Sequence, residues 1–264
     1  MAGSSHVEKE LRMPKSLAFL IATCDADAKH FSRVLGEFTR LGYPFAAYFD
    51  HCCEETIRLF ASHLLCVGSH INSNEPFDER HRRYPFDILK SKGFDWIASI
   101  DTDEIFDGRA ATLIPEILDS DADVVWCPRL DFWGDDRHYR IDGPFGPSTS
   151  GVSPGKQFCE KFFNVKTGIW TYRHADIHAP YFAAVDKTGR APIRKMSPLY
   201  VLHYGIMDYA DAVVHTDRWN LVYTRAQGAN KHPGFYNYIN DKSIVPTLID
   251  FDPANPPSIE EDRL

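Results

Sequence analysis

The sequence predicts an α/β protein built on an open, mostly parallel sheet flanked by helices. Three observations carry this. Short apolar runs alternate with helix-period segments through the first half of the chain. Three of the first four strand-like runs end in a carboxylate, on the side where open α/β sheets bind ligands. A chain of 264 residues, 44% hydrophobic and 25% charged, is long enough to bury a full core as one large domain.

The elements follow in order. Residues 16–23 read as the first strand, and 28–41 as a helix with Phe31, Val34, Leu35, Phe38 and Leu41 on one face, closed by Gly42. A second strand over 45–50, a helix over 54–63, a third strand over 64–68, a helix over 79–92 and a fourth strand over 95–100 continue the rhythm. A helix over 110–120 and a strand over 123–127 come next. The pattern then loosens into a Gly- and Pro-rich stretch, 143–155, whose four glycines could bend a loop closing over a site. Short strands at 158–165, 168–172 and 199–204 and a helix over 208–227 complete the pattern. Five of the 17 prolines fall in 230–264, which reads as a surface wrap after a lead of residues 1–15. One domain over 16–229 with an elaborated second half is the expected organisation.

Charge and cysteine content narrow the partners. Lys and Arg total 29 against 37 Asp and Glu, a formal charge of -8, so no whole-molecule field draws the chain to nucleic acid or an anionic membrane. Nucleic acid is therefore not an expected partner. The six cysteines, at 24, 52, 53, 66, 127 and 159, show no two-residue gap of the kind zinc ribbons use, and read as reduced thiols of a cytoplasmic protein. The longest apolar stretch, 17–23, is far short of the roughly 20 residues a transmembrane helix needs, so no transmembrane segment is expected.

The chemistry concentrates at the strand ends. Thr23, Cys24 and Asp25 follow the first strand, and Asp50 and His51 the second. A carboxylate at either place can accept from a ribose or a base edge, although Asp25 or Asp27 could equally cap the helix that follows. The sharpest signal is Trp96-Ile-Ala-Ser-Ile-Asp101-Thr102-Asp103-Glu104, a buried strand running into three carboxylates within four positions. Such carboxylates repel one another unless a cation lies between them, and oxygen ligands suit Mg²⁺ or Mn²⁺. A polar turn is the plain alternative. Arg80, His81, Arg82 and Arg83 form a basic cluster, with Arg80 and Arg83 three apart, able to meet a diphosphate or to pair with Glu75, Asp78 and Asp87. Lys161 and Lys156 are further phosphate candidates. Trp133 can stack on a sugar or pack in the core.

Asp101-Thr102-Asp103-Glu104 behind Phe94-Asp95-Trp96 resembles the Asp-any-Asp metal motif of glycosyltransferases with the GT-A fold, a Rossmann-like open mixed sheet flanked by helices. The closest likeness is to the family 2 and family 92-like group. Lys161-Phe162-Phe163-Asn164 followed by His178, and Leu202-His203-Tyr204, are similar to later elements of that group in the same order. The resemblance implies a nucleotide-binding half over 16–107 and an acceptor half over 108–229. It implies a nucleotide-sugar donor, a UDP-sugar being favoured, bound by Thr23, Cys24, Asp25, Asp50, Arg80, Arg83, Asp101 and Lys161. Its diphosphate would be bridged to the protein by Mn²⁺ or Mg²⁺ through Asp103, with Asp101 on ribose or metal and His203 as a further ligand. The sugar would pass with inversion to a hydroxyl of a glycan or other acceptor, deprotonated by a carboxylate. Asp176, between His174 and His178, is the first candidate for that base, and Glu160 and Asp131 are the others.

Two other readings compete. A strand followed by Asp-Thr-Asp superficially fits the aspartyl nucleophile of haloacid dehalogenase-type phosphatases, but Ile105 stands where those carry Thr or Val, and the motif usually opens the domain. A catalytically silent sugar- or nucleotide-binding module is the third reading. Release of free nucleoside diphosphate from a sugar nucleotide separates the transferase from both.

Overall fold

The structure is a computed structural model and describes residues 15–72, 82–140, 157–172, 182–186, 189–211, 213–214, 217 and 247–257. At its centre lies β1 (Leu17–Thr23), a seven-residue apolar run buried along its length. It pairs in parallel with β2 (Phe45–Asp50) on one side and β4 (Trp96–Asp101) on the other, with Thr23 opposite Phe49 and Ala22 opposite Asp101. Strand β3 (Cys66–Asn72) adds outside β2, also parallel. These four strands therefore end together and present their carboxyl ends on one rim.

The connections follow from sequence. A 3-10 turn, Asp25–His30, leads into α1 (Phe31–Leu41), which buries Phe31, Val34 and Phe38. Gly42 ends α1 in the left-handed region at φ 72, where glycine carries no steric penalty, and its N–H closes on Phe38 O at 2.8 Å. Helices α2 (Glu54–Ala61) and α3 (Arg83–Ser91) connect the next strands. The hairpin-like β5 (Glu104–Phe106) follows β4 after two residues, and α4 (Ala110–Asp119) leads to the long β6 (Val124–Phe132).

Beyond β4 the sheet becomes mixed, as in the open mixed sheet expected from the resemblance. Strand β8 (Gln157–Asn164) lies between β4 and β6, antiparallel to both. The strands run in the order β13, β7, β6, β8, β4, β1, β2, β3, with β7 (His138–Arg140) and β13 (Leu248–Asp250) at the far edge. Three short strands attach at the side: β11 (Arg194–Met196) to β6, and β12 (Val201–His203) between β5 and β6. Strands β9 (Gly168–Tyr172) and β10 (Phe182–Asp186) form a separate antiparallel pair.

Several expected boundaries move. The helix expected from residue 28 begins as the 3-10 turn and is α-helical only from Phe31. The third strand runs over Cys66–Asn72, because His63 to Leu65 form a turn closed by Cys66 N on His63 O at 2.9 Å. An edge strand with polar Ser69, His70 and Asn72 leaves little apolar signal. Strand β6 extends to Phe132, well past residue 127, so Asp131 lies within a strand and not after one. Strands β5, β7, β11 and β13 are three residues each, too short for a periodic pattern. The loop 143–155 lies outside the described residues, as does most of the expected helix over 208–227.

The two faces of the sheet are both covered. Phe19, Ile21, Phe45, Phe49, Trp96, Ile100 and Phe162 pack with α1 and α4 on one face, where Phe38 stacks on Phe45 at 4.4 Å. Leu20, Ala46, Ile97 and Phe163 meet Phe86 and Leu89 of α3 on the other. Covering both faces is what allows the central strands to be apolar throughout. Gly68 lets α3 approach β3: a Cβ there would lie 2.7 Å from Ile88 Cγ2. Gly68→Ala is expected to lower the unfolding free energy by about 1–3 kcal/mol, the usual range for overpacking, read from urea denaturation. An unshifted midpoint would contradict this close approach.

Candidate functional site

The site is assembled by β12. Its antiparallel register with β5 sets His203 opposite Glu104, and its parallel register with β6 sets His203 opposite Asp131. Tyr204 N donates to Asp103 O at 2.8 Å, fixing the turn after β4 against the end of β12. The His203 ring consequently stands between two carboxylates. Nδ1 lies 2.6 Å from Asp131 Oδ1, and Nε2 lies 3.4 Å from Asp103 Oδ2. Burial opposes a charge on this imidazole, yet the Asp103 carboxylate and the bonds to Asp103 and Asp131 outweigh it and push His203 up to about 10. Asp131 is buried too. Burial alone would raise its carboxyl, but the neighbouring Arg129 and His203 hold it below the usual range.

The residues around Asp103 alternate in direction. Thr102 turns inward and its hydroxyl lies 3.2 Å from Ala22 O and 3.1 Å from Asp27 Oδ2, locking the turn to β1. Asp101 pairs with Arg82, whose Nη1 also donates to Ser99 Oγ at 2.7 Å. Burial pulls the Asp101 carboxyl up, and the Arg82 and Lys161 charges outweigh it and hold it low. Glu104 accepts from Asp101 N at 3.0 Å and pairs with Lys161 inside the sheet. Lys161 reaches Glu104 because of a bulge in β8: Glu160 lies opposite Trp126 and Phe162 opposite Val125, so Lys161 is the extra residue and its side chain is re-aimed. Burial disfavours the Lys161 charge, but Glu104 and Asp101 more than restore it.

Three further residues border the site. His30, 5% exposed at the end of the 3-10 turn, is held below the ordinary imidazole range by burial, against the opposing charge of Asp103. Arg33 stacks over the Tyr204 ring at 3.7 Å. Gly205 passes so close that a Cβ on it would lie 2.7 Å from His203 Nε2 and nearer still to Asp103 Oδ2.

The sequence-predicted residues fall into three groups. Asp101, Asp103, Asp131 and His203 come together, and Lys161 lies beneath them, paired with Glu104. At the neighbouring strand ends, Thr23 is buried with its hydroxyl lacking a partner among the described residues, and Cys24 N binds Asp27 Oδ2 at 3.3 Å. Asp25 accepts from Cys53 N at 2.9 Å at the start of α2, and Asp50 accepts from Asn72 at 3.0 Å. Elsewhere, Arg83 pairs with Asp87 at 3.3 Å along an exposed face of α3, and Glu160 pairs with Arg194 at 3.6 Å. Arg80, Lys156, Asp176 and His178 lie outside the described residues. Arg82, His30 and Gly205 went unassigned in the sequence. Arg82 sits in the basic cluster and Gly205 adjoins the His203-Tyr204 pair, so each had a positional signal, whereas His30 had none.

Among the described residues, no three His, Cys, Asp or Glu side chains converge as a ready metal cage. Asp103 and His203 nevertheless offer one carboxylate and one imidazole, a set that suits a divalent cation completing its coordination with substrate oxygens. Asp131 on the far nitrogen of His203 is the partner that metal-binding histidines usually have.

No family model matches the chain, and no curated protein matches it. Among solved structures, S. aureus TarS is similar with a TM-score of 0.43 and 11% identity, over 81% of this chain and 44% of that one. TarS 1-349 in complex with UDP-GlcNAc is similar with a TM-score of 0.42 and 12% identity, over 81% and 68%. A Bacillus anthracis protein assigned as a glucose-1-phosphate thymidylyltransferase has a TM-score of 0.40 and 6% identity, over 57% and 72%. The chain thus spans less than half of that TarS chain. No described helix is long and apolar enough to cross a membrane.

Breaking the buried Lys161 and Glu104 pair leaves an uncompensated charge. Lys161→Met is expected to cost about 3–5 kcal/mol of stability, and Lys161→Met/Glu104→Gln, which keeps an acceptor for Asp101 N, to recover most of it. Urea denaturation of the two variants checks this.

Proposed function

We propose that the protein is a divalent-metal-dependent glycosyltransferase that moves a sugar from a nucleotide-diphosphate donor, a UDP-sugar by preference, to an acceptor hydroxyl with inversion. The observation that carries this reading is Asp103 facing His203, backed by Asp131, at the end of the strand that bears the Asp-any-Asp motif. Asp103 and His203 would hold Mn²⁺ or Mg²⁺. When bound, the cation supplies charge neutralisation to the departing diphosphate.

The chain's own residues do the rest. Arg82 fixes the Asp101 carboxylate in one orientation, so a ribose hydroxyl meets a pre-organised acceptor and little ordering is left to the moment of binding. Asp131 holds the His203 ring through Nδ1, aiming Nε2 at Asp103. Asp25 and Asp50, at the ends of β1 and β2, are the proposed contacts for the nucleoside. For the base, Asp131 is engaged by Arg129 and His203, and Glu160 by Arg194, which makes both poor proton acceptors. The base is assigned to Asp176. It would take the proton of the acceptor hydroxyl, with Asp103 and His203 left to the cation and the donor.

Incubation with UDP-sugars is expected to release UDP in the presence of Mn²⁺. EDTA should stop the release and Asp103→Ala should reduce it by roughly a hundredfold or more, on the scale of losing a main electrostatic stabiliser. Full activity under both treatments would sink the metal-dependent reading.

Asp176→Asn is expected to keep Mn²⁺-dependent UDP binding by calorimetry while turnover falls by about two to four orders of magnitude, the usual worth of a general base. Near-normal turnover would return the assignment to Glu160 or Asp131.

A further inference from the structure

We propose that His51 reads the edge of the donor's nucleobase beside Asp50; this rests on the reading that the protein binds a nucleotide-diphosphate donor. His51 directly follows β2, on the rim formed by the carboxyl ends of β1 to β4, where open α/β sheets bind ligands. Among the described residues it is the one non-glycine with positive φ, at φ 51. Gly42, Gly93, Gly134 and Gly189 take the other positive values. A Cβ carries a steric penalty in this region that glycine avoids, so a chain that needed only the bend would be served better by glycine. A side chain present at that cost points to a use for the side chain.

The bend is fixed from both sides. His51 N donates to Asn72 O at 2.9 Å, joining the turn to the end of β3, and Cys53 N donates to Asp25 Oδ2 at 2.9 Å, joining it to the end of β1. Between them the Cys52 thiol lies 3.5 Å from Thr23 O. Backbone strain persists where the surroundings over-determine it, and here two strand ends do so. Asp50 accepts from Asn72 Nδ2 at 3.0 Å, which orients the carboxylate and occupies one of its roughly four acceptor positions. His51 Nε2 stands 4.0 Å from that same Asp50 Oδ1, and the His51 side chain is 44% exposed. A carboxylate oxygen and an imidazole nitrogen side by side match the adjacent N–H and acceptor atom that a nucleobase offers along its Watson–Crick edge. For uracil these are the ring N–H toward Asp50 and a ring carbonyl toward His51.

The test uses the full chain and reads binding by calorimetry, with folding followed by thermal unfolding. His51→Gly removes the side chain and relieves the positive φ. UDP with Mg²⁺ is expected to bind this variant roughly two- to tenfold more weakly, the net worth of one hydrogen bond, while the melting temperature is no lower than the parent's. Pyrophosphate with Mg²⁺, which has no base, is expected to bind variant and parent alike. Parent-like UDP affinity in His51→Gly overturns the inference and leaves the nucleotide-donor reading intact. Equal weakening of UDP and pyrophosphate also overturns it, because the loss then lies outside the base. A lowered melting temperature or a failure to fold does the same, since the side chain would then serve the fold. Absence of UDP binding by the parent, with Mg²⁺ and with Mn²⁺, overturns both the inference and the reading it rests on.

Discussion

A strand of only three residues, β12, is the constraint on which the site depends. Its two edges are both occupied, by β5 on one side and β6 on the other, and it ends at His203. Because side chains alternate along a strand, a slip of one residue would turn His203 away from both Asp103 and Asp131 and bring Leu202 in its place. The paired edges and the burial of Val201 and Leu202 forbid that slip. What looks like a small side element is the clamp that joins the first half of the chain to the second.

The electrostatics of the rim follow from that clamp. Three carboxylates within four positions suggest, from sequence alone, a demand for external positive charge. The fold answers two of them internally, Asp101 with Arg82 and Glu104 with Lys161, and turns the third, Asp103, to His203. The buried Lys161–Glu104 pair gives up hydration for attraction, so it contributes more to a fixed arrangement than to net stability. The outcome is one carboxylate and one imidazole aligned at the mouth and a matched set of ions behind them.

The parts of this that were legible in the sequence are those with strong period or strong local chemistry. Leu17–Thr23, Phe45–Asp50 and Trp96–Asp101 are apolar runs too short for anything but buried strands, and the Asp-any-Asp motif stands at the end of the last. His203 was legible as a ligand candidate through the resemblance and as an imidazole at a strand end. The antiparallel insertion of β8 was not legible, because an apolar strand such as Phe162-Phe163 reads the same in either direction. Nor was the partner of Lys161, which depends on a bulge opposite Trp126. The inward turn of Arg82 was hidden because residues 80–83 present three arginines with nothing in the pattern to say which faces the sheet. Gly205 was invisible because steric need for a missing atom exists only in three dimensions.

The span of these contacts bears on how the chain folds as it is made. Strands β1 to β4 can pair with one another once about the first hundred residues have emerged, and domains generally begin to fold from the N-terminal side during synthesis. Yet β4 then waits for β8, and Asp131 waits 72 residues for His203. During that interval the free edge of β4 is an apolar strand with its hydrogen-bonding groups unanswered, the kind of surface to which another nascent chain can add. Slow emergence of the second half would therefore favour tangled assembly over the correct insertion.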